Sequence, residues 1–312
     1  MAFVYTSLVH WVTPLSLSVF GVILNLLSMG AILSFGALRK TKNIFIFHLS
    51  FCDFVASLSI MMTSIKFITQ WEFPVSIFQL LFLVALMMSL LTTLAIAIER
   101  FIIFYLDPFG NRKIITPFRT ILAFSVTWVF VGGLFYIMGS RFKERLYLLG
   151  KVILSSTILI ITVVTVSLYK IIYQKITSAS TSLGASETFL QRRFKLHQKI
   201  IVTFSLVVGT TGLCWLPVTV TEFLKGFPQL NDKAWYIVLE RVFFGILCSN
   251  QFLNPIIVWS RLTEFRDTLK VCRRGDQAGS GSKSTGQNTR SVSANVPVNN
   301  MSRDNPNFIA SP

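Results

Sequence analysis

A chain of 312 residues that is 53% hydrophobic and only 13% charged is too apolar for an ordinary water-soluble domain, which excludes most soluble enzymes and binding modules. Its net charge of +16 does not point to nucleic acid, because the basic residues collect between apolar runs, where anionic lipid headgroups would meet them. Of its four cysteines, Cys52, Cys214 and Cys248 fall inside apolar runs and Cys272 follows the last, so no disulfide outside the membrane is expected.

A hydrocarbon core about 30 Å thick needs roughly 20 apolar residues per helix. Runs of that kind fall near residues 11–38, 44–68, 75–106, 117–138, 148–176, 198–224 and 235–259. Residues 1–10 carry no Lys or Arg and no small-residue cleavage pattern follows, so they read as a short extracellular N-terminus before a retained first span. Residues 11–260 then form a seven-helix transmembrane domain in an all-α membrane protein, with the termini on opposite sides.

Charge sets the orientation. Arg39, Lys40 and Lys42 follow the first span, Arg112, Lys113 and Arg119 the third, and a longer basic series from Lys170 to Lys199 separates the fifth and sixth. Arg261, Arg266, Lys270, Arg273 and Arg274 follow the seventh. That face is the cytoplasmic one, and the N-terminus lies outside. The stretch Thr177 to Gln191 reads as a flexible loop, and residues 273–312, rich in Gly, Ser, Asn and Pro, as a disordered cytoplasmic tail. The sequon at Asn300 would therefore stay unglycosylated.

Several residues are costly at mid-bilayer, so each calls for a partner or a task. They are Asn25 in the first span, Asp53 in the second, Ser89 in the third, and Asn250, Gln251 and Asn254 sharing one face of the seventh. Separately, each fits an interhelical hydrogen bond; together they fit a hydrated polar cluster. An adjacent acid and base, Glu99 and Arg100, end the third apolar run.

These residues, with "LSFCD" ending at Asp53, Trp128, "CWLP" at Cys214 to Pro217 and "NPIIV" at Asn254 to Val258, resemble the signature of rhodopsin-like (class A) G protein-coupled receptors, in that family's order. The resemblance covers about residues 11–272. It implies a receptor at the plasma membrane, with Glu99, Arg100, Trp215, Pro217, Asn254 and Pro255 as switch and coupling residues for a heterotrimeric G protein. It implies a sodium and water site of Asn25, Asp53, Ser89, Asn250 and Asn254, with sodium as an allosteric ion and no other metal or cofactor. Physically, Glu99 would hold Arg100 in the quiet state, and Pro217 would kink the sixth helix. Residues 261–272 resemble the family's amphipathic eighth helix, with Leu262, Phe265 and Leu269 on one side and Cys272 as a palmitoylation site. Ser and Thr residues in the tail would serve receptor kinases and arrestin.

The chain also departs from that pattern. No Cys starts the third span, where Val75 and Ser76 stand, and none lies in the loop from Gly139 to Tyr147. Val258 replaces the Tyr of the last motif, the fifth span has no proline, and His197 stands where many relatives place a Glu facing Arg100. Appreciable basal activity is therefore expected. The missing cysteines and "RKIITPFRTILAFSVTW" resemble the melanocortin, cannabinoid, lysophospholipid and adenosine branch, and divergent chemosensory or invertebrate receptors fit the same departures.

Another class of function, an ion-coupled transporter or channel using the Asp53 cluster, lacks internal repeats and a continuous ionisable path. An intramembrane enzyme lacks a second Asp or a cluster of His10, His48 and His197. The ligand pocket is expected around Lys66, Phe78, Phe82, Trp215 and Arg241, and the ligand to be lipid-like or peptide. Arg141, Lys143, Arg145 and Lys225 would add positive charge at its mouth, with Glu222 and Glu240 offsetting part of it, so an anionic amphiphile is the sharper expectation.

Overall fold

A computed structural model describes residues 2–72, 74–106, 114–141, 156–174, 188–225, 227, 229 and 233–268. Seven of its helices are long and apolar enough to cross a membrane. They are α1 (Ala2–Ser34), α2 (Thr41–Thr69), α3 (Val75–Phe101), α4 (Pro117–Arg141), α5 (Ser156–Gln174), α6 (Thr188–Leu224) and α7 (Ala234–Arg261). A short α8 follows at residues 263–268. In hydrocarbon every backbone amide has to be satisfied within its own segment, so each apolar run closes into a helix.

α1 extends ahead of the apolar run, starting at Ala2, because apolar density rather than helicity falls off before residue 11. It stops at Ser34, and a 3-10 turn at Gly36–Leu38 leads into α2. α2 ends on Gln70, whose φ of 57° is the left-handed conformation that terminates a helix. After Phe101 the chain continues through one π turn, Ile102–Leu106.

α1 packs on α2 and α7, α2 on α3, α3 on α4, and α6 on α7. Two apolar clusters fill the interior. One joins Ile32, Phe45, Leu49, Ile96, Ile172, Phe204, Val258 and Phe265; the other joins Ala56, Ala85, Met88, Trp215 and Leu247. Large apolar side chains such as Phe20, Phe118, Val129 and Leu213 point outward, which water would penalise and lipid does not. α8 is anchored by fully buried Phe265, whose ring meets Trp259 edge-on with centroids 5.4 Å apart. Lys40 and Lys42 both bond Glu264, at 3.1 and 2.9 Å. Burial alone would raise the Glu264 pKa, but these two ammonium groups hold it below the usual carboxylate range. Leu269, Cys272 and the tail lie outside the described residues, as do the side chains of Arg141 and His197 and the loop residues Lys143 and Arg145.

Candidate functional site

Asp53 is a carboxylate with no exposure at all. Ser89 Oγ donates to its Oδ1 and Asn254 Nδ2 to its Oδ2, each at 2.8 Å, so one carboxylate ties α2 to α3 and to α7. Asn254 Oδ1 and both side-chain atoms of Asn250 are buried with no protein partner. Asn254 Oδ1, on a residue bonded to the carboxylate, adds an oxygen to a donor set that suits a hard monovalent cation or water, and Asn250 lies one helical turn earlier on α7. Among the described residues no group of His, Cys, Asp or Glu is arranged to hold a multivalent metal.

Asn25 is fully buried but does not bond Asp53. Its Nδ2 donates to the carbonyls of Gly21 and Gln251, both at 2.8 Å. Pro255 explains the second bond: without an amide N–H it leaves the carbonyl four residues earlier, that of Gln251, without its helical donor, and Asn25 supplies one. Asn25 thus joins α1 to α7 at the carbonyl that Pro255 leaves without a helical donor. The approach is close, because a Cβ added at Gly21 would stand 2.3 Å from Ser57 Oγ. Neither Gly21 nor Ser57 had any motif to single it out, and the carbonyl role of Gln251 could have been read only from Pro255.

Trp215 is buried in the cluster with Met88 and Leu247, and Pro217 lies inside α6 two residues later. Phe82 joins the same cluster and meets Phe244 edge-on at 6.3 Å. Phe78 is half-buried on α3, Lys66 sits in the last turn of α2 and Arg241 is half-buried on α7. Of the expected pocket residues, only Phe82 and Trp215 are brought into one cluster. Lys225 does not add positive charge to the mouth. Its ammonium is 2.7 Å from Glu222 and also pairs with Glu240, across α6 and α7. Burial would lower its pKa, yet the two carboxylates raise it above the ordinary lysine value.

At the opposite end of α3, Arg100 Nη2 lies 3.1 Å from Glu99 Oε2, and both side chains are buried. The guanidinium also rests over the Phe204 ring of α6, 5.6 Å from its centroid. Arg100 Nε and the Tyr169 hydroxyl of α5 are buried and unbonded. Tyr169 belongs to the same cluster as Ala97 and Phe204, and nothing in its local sequence marked it out.

His48 is a structural residue rather than a loose group near a span end. Trp128 Nε1 donates to its Nε2 at 2.9 Å, so Nδ1 carries the proton and donates to Thr92 Oγ1 at 2.7 Å. Phe124 stacks on the ring at 3.7 Å. This chain of contacts locks α2, α3 and α4 together. At the end of α7, Val258 is buried in the apolar cluster, and the neighbouring Trp259 Nε1 donates to Ser28 Oγ at 2.8 Å.

Seven membrane-spanning helices enclose a buried carboxylate, with a proline inside each of α6 and α7 and a buried acid–base pair at one end of α3, an arrangement of the seven-helix receptor class. The chain matches the model of the 7 transmembrane receptor (rhodopsin family) over residues 24–257, and it belongs to that family. It is 24% identical to the neuromedin-K receptor of Rattus norvegicus over 82% of its own length and 60% of that protein's. It is 22% identical to adenosine receptor A3 of Ovis aries, covering 86% of this chain and 92% of the relative. Melanocortin receptor 5 of Rattus norvegicus is 24% identical over 78% of this chain and 80% of the relative. The chain thus spans 57% to 60% of the length of the neuromedin-K receptors it matches, under two thirds, and most of the other two.

Proposed function

We propose that this chain is a plasma-membrane receptor, N-terminus outside, that binds a ligand among the outer halves of its helices and drives nucleotide exchange on a heterotrimeric G protein at its Arg100 end. One observation carries the reading: the Glu99–Arg100 pair buried at the inner end of α3. A buried ion pair adds little stability over an apolar substitute, so its value lies in switching. Separation of α6 from α3 would lift Phe204 off the guanidinium and release a cation toward a partner protein. Sodium, held by Asp53 and Ser89 with the unpaired oxygens of Asn250 and Asn254, would supply the charge that keeps α2, α3 and α7 together in the quiet state. Receptor reconstituted with purified heterotrimer should accelerate nucleotide exchange; ligand-driven ion flux without exchange would favour the transporter or channel reading instead.

The ligand is lipid-like or peptide. The relatives, named for neuromedin K, adenosine and melanocortin, do not converge on one chemistry. With Lys225 neutralised by Glu222 and Glu240, positive charge for an anionic amphiphile rests on Lys66 and Arg241, and the tail on Phe78, Phe82 and Trp215. A charge-assisted contact there is worth about 1.5 to 3 kcal/mol, roughly 10- to 150-fold in affinity. Potency of one lipid as acid and as neutral amide, on wild type, Lys66→Gln and Arg241→Gln, decides it. Equal potency across the set removes the anionic lipid and leaves the receptor reading intact.

A further inference from the structure

Four threonines from three helices line one narrow cavity: Thr93 of α3, Thr162 and Thr165 of α5, and Thr211 of α6. Leu90, Ile161 and Val208 supply apolar wall between them. The cavity gives the centre of a water molecule about 10 Å³, enough for one water and for nothing larger. Thr93, Thr165 and Thr211 are buried, at 4%, 2% and 3% exposure. α5 and α6 close together at its edge, where a Cβ on Gly212 would stand 3.4 Å from Thr162 Cγ2.

The four hydroxyls are not alike. Thr93 Oγ1 donates to the Ser89 carbonyl at 2.9 Å, Thr162 Oγ1 to that of Ile158 at 2.8 Å and Thr165 Oγ1 to that of Ile161 at 2.7 Å. Bonding the carbonyl four residues earlier is the usual recourse of a hydroxyl inside an apolar helix. Each of the three has thereby committed its proton, while its oxygen keeps lone pairs to offer. Thr211 does the opposite: its Oγ1 turns from its own backbone and is buried without a protein partner. A hydroxyl left so carries its full desolvation cost, so its proton calls for an acceptor that the helices do not supply.

We propose that this cavity binds one structural water, which accepts the Thr211 proton, donates to the oxygens of Thr93 and Thr165, and so helps hold α5 and α6 against α3. Three hydrogen bonds are the usual complement of a buried water. The lining selects this occupant, because no residue in it carries a charge for an ion, and a lipid chain would leave the Thr211 proton unpaired. The bridge also reaches the carboxylate layer: Ser89, whose carbonyl receives Thr93, donates its own hydroxyl to Asp53 at 2.8 Å. Where α6 parts from α3, as the proposed coupling requires, the bridge has to break. That consequence rests on the proposed function; the site itself does not.

The test replaces Thr211 by Val in the full chain, which keeps the shape and removes the hydroxyl. Losing an unpaired buried hydroxyl leaves the unfolding midpoint unchanged or raises it, whereas losing one bonded to water lowers it, and a fall is expected. Thr93→Val and Thr211→Val should be non-additive in a double-mutant cycle, because each releases the same water. Thr93→Val and Thr210→Val should add, since Thr210 bonds the Leu206 and Val207 carbonyls of its own helix. If Thr211→Val does not fold, Thr165→Val takes its place in the cycle. A crystal structure of the full chain should show one ordered oxygen between Thr93 and Thr211. Basal nucleotide exchange should rise about 2- to 10-fold in Thr211→Val, the range of one net hydrogen bond. Four results overturn the proposal: a midpoint that holds or rises in Thr211→Val, additive Thr93 and Thr211 changes, a direct hydroxyl contact in place of the oxygen, or exchange at the wild-type level in Thr211→Val. Midpoints and coupling as expected, with no exchange even in wild type, would sink the receptor reading and leave the water site standing.

Discussion

Arg100 and Glu99 form a contact of 3.1 Å with both side chains about 95% shielded, so the cation proposed to meet a partner protein is sealed in this conformation. Breaking a buried pair by removing one member typically costs about 3 to 5 kcal/mol. Even a third of that, about 1.4 kcal/mol, shifts a two-state population tenfold. Glu99→Gln should therefore raise basal nucleotide exchange at least tenfold in purified membranes. Adding Arg100→Ala to that background should silence exchange while surface expression stays close to wild type. Persistent exchange in the double variant would remove Arg100 from coupling.

Asp53 bridges three helices, and the Oδ1 of Asn254, which bonds it, is buried without a protein partner, so sodium should bind the folded chain and stabilise it. At ten times its dissociation constant an ion adds about 1.4 kcal/mol. The unfolding midpoint should rise in sodium chloride relative to choline chloride at equal ionic strength. Asp53→Asn should erase the difference, because it keeps the shape and removes the charge. A sodium shift that persists in Asp53→Asn places the ion elsewhere.

The seven spans and the Asp53 layer were legible in the sequence because lipid makes both apolar length and intramembrane charge expensive to vary. Ser89 and Asn254 meet the carboxylate as their positions implied. What was not legible depends on neighbours remote in sequence. Asn25 was grouped with Asp53, but the proline-freed carbonyl of Gln251 claims it. Lys225 was counted toward a positive mouth, but it lies between Glu222 and Glu240. Tyr169 and Ser57 are ordinary residues until packing buries their hydroxyls.

Trp259 fastens the end of α7 to Ser28 of α1 where the family's usual tyrosine is replaced by Val258. A neutral hydrogen bond of this kind is worth about 1 kcal/mol net. A double-mutant cycle of Ser28→Ala and Trp259→Phe should show coupling of about that size in thermal unfolding. Val258→Tyr should not restore a missing bond. It inserts a ring into a filled apolar cluster and should cost about 1 to 3 kcal/mol.

Gly21 allows α1 to approach α2 more closely than any other residue would. Gly21→Ala puts a methyl group 2.3 Å from Ser57 Oγ and 3.1 Å from its Cβ, so the Ser57 side chain must turn away or α1 must shift, and a shift would lengthen the Asn25 bond to Gln251. A loss of about 1 to 3 kcal/mol is expected. Ser57→Gly in the same chain removes the clash and should recover most of it. No recovery would mean that the close contact is not what holds the two helices.

Lys225 pairs with Glu222 and Glu240 across the outer ends of α6 and α7, where Tyr236 also donates to the Thr221 carbonyl at 2.8 Å. Burial disfavours the ammonium, but the two carboxylates prevail and its pKa stands above the ordinary lysine value. A group whose folded pKa is raised contributes stability that is complete below the unfolded value, about 10.4, and is lost as pH climbs through the folded one. The difference in unfolding midpoint between wild type and Lys225→Gln should therefore stay constant from neutral pH to about 10 and close only above it. Lys225→Gln also leaves two carboxylates facing each other without a cation, so its midpoint should recover when Glu240→Gln is added. A difference that shrinks between pH 7 and 9, or a double variant no better than the single, would show that the clamp does not hold these helix ends.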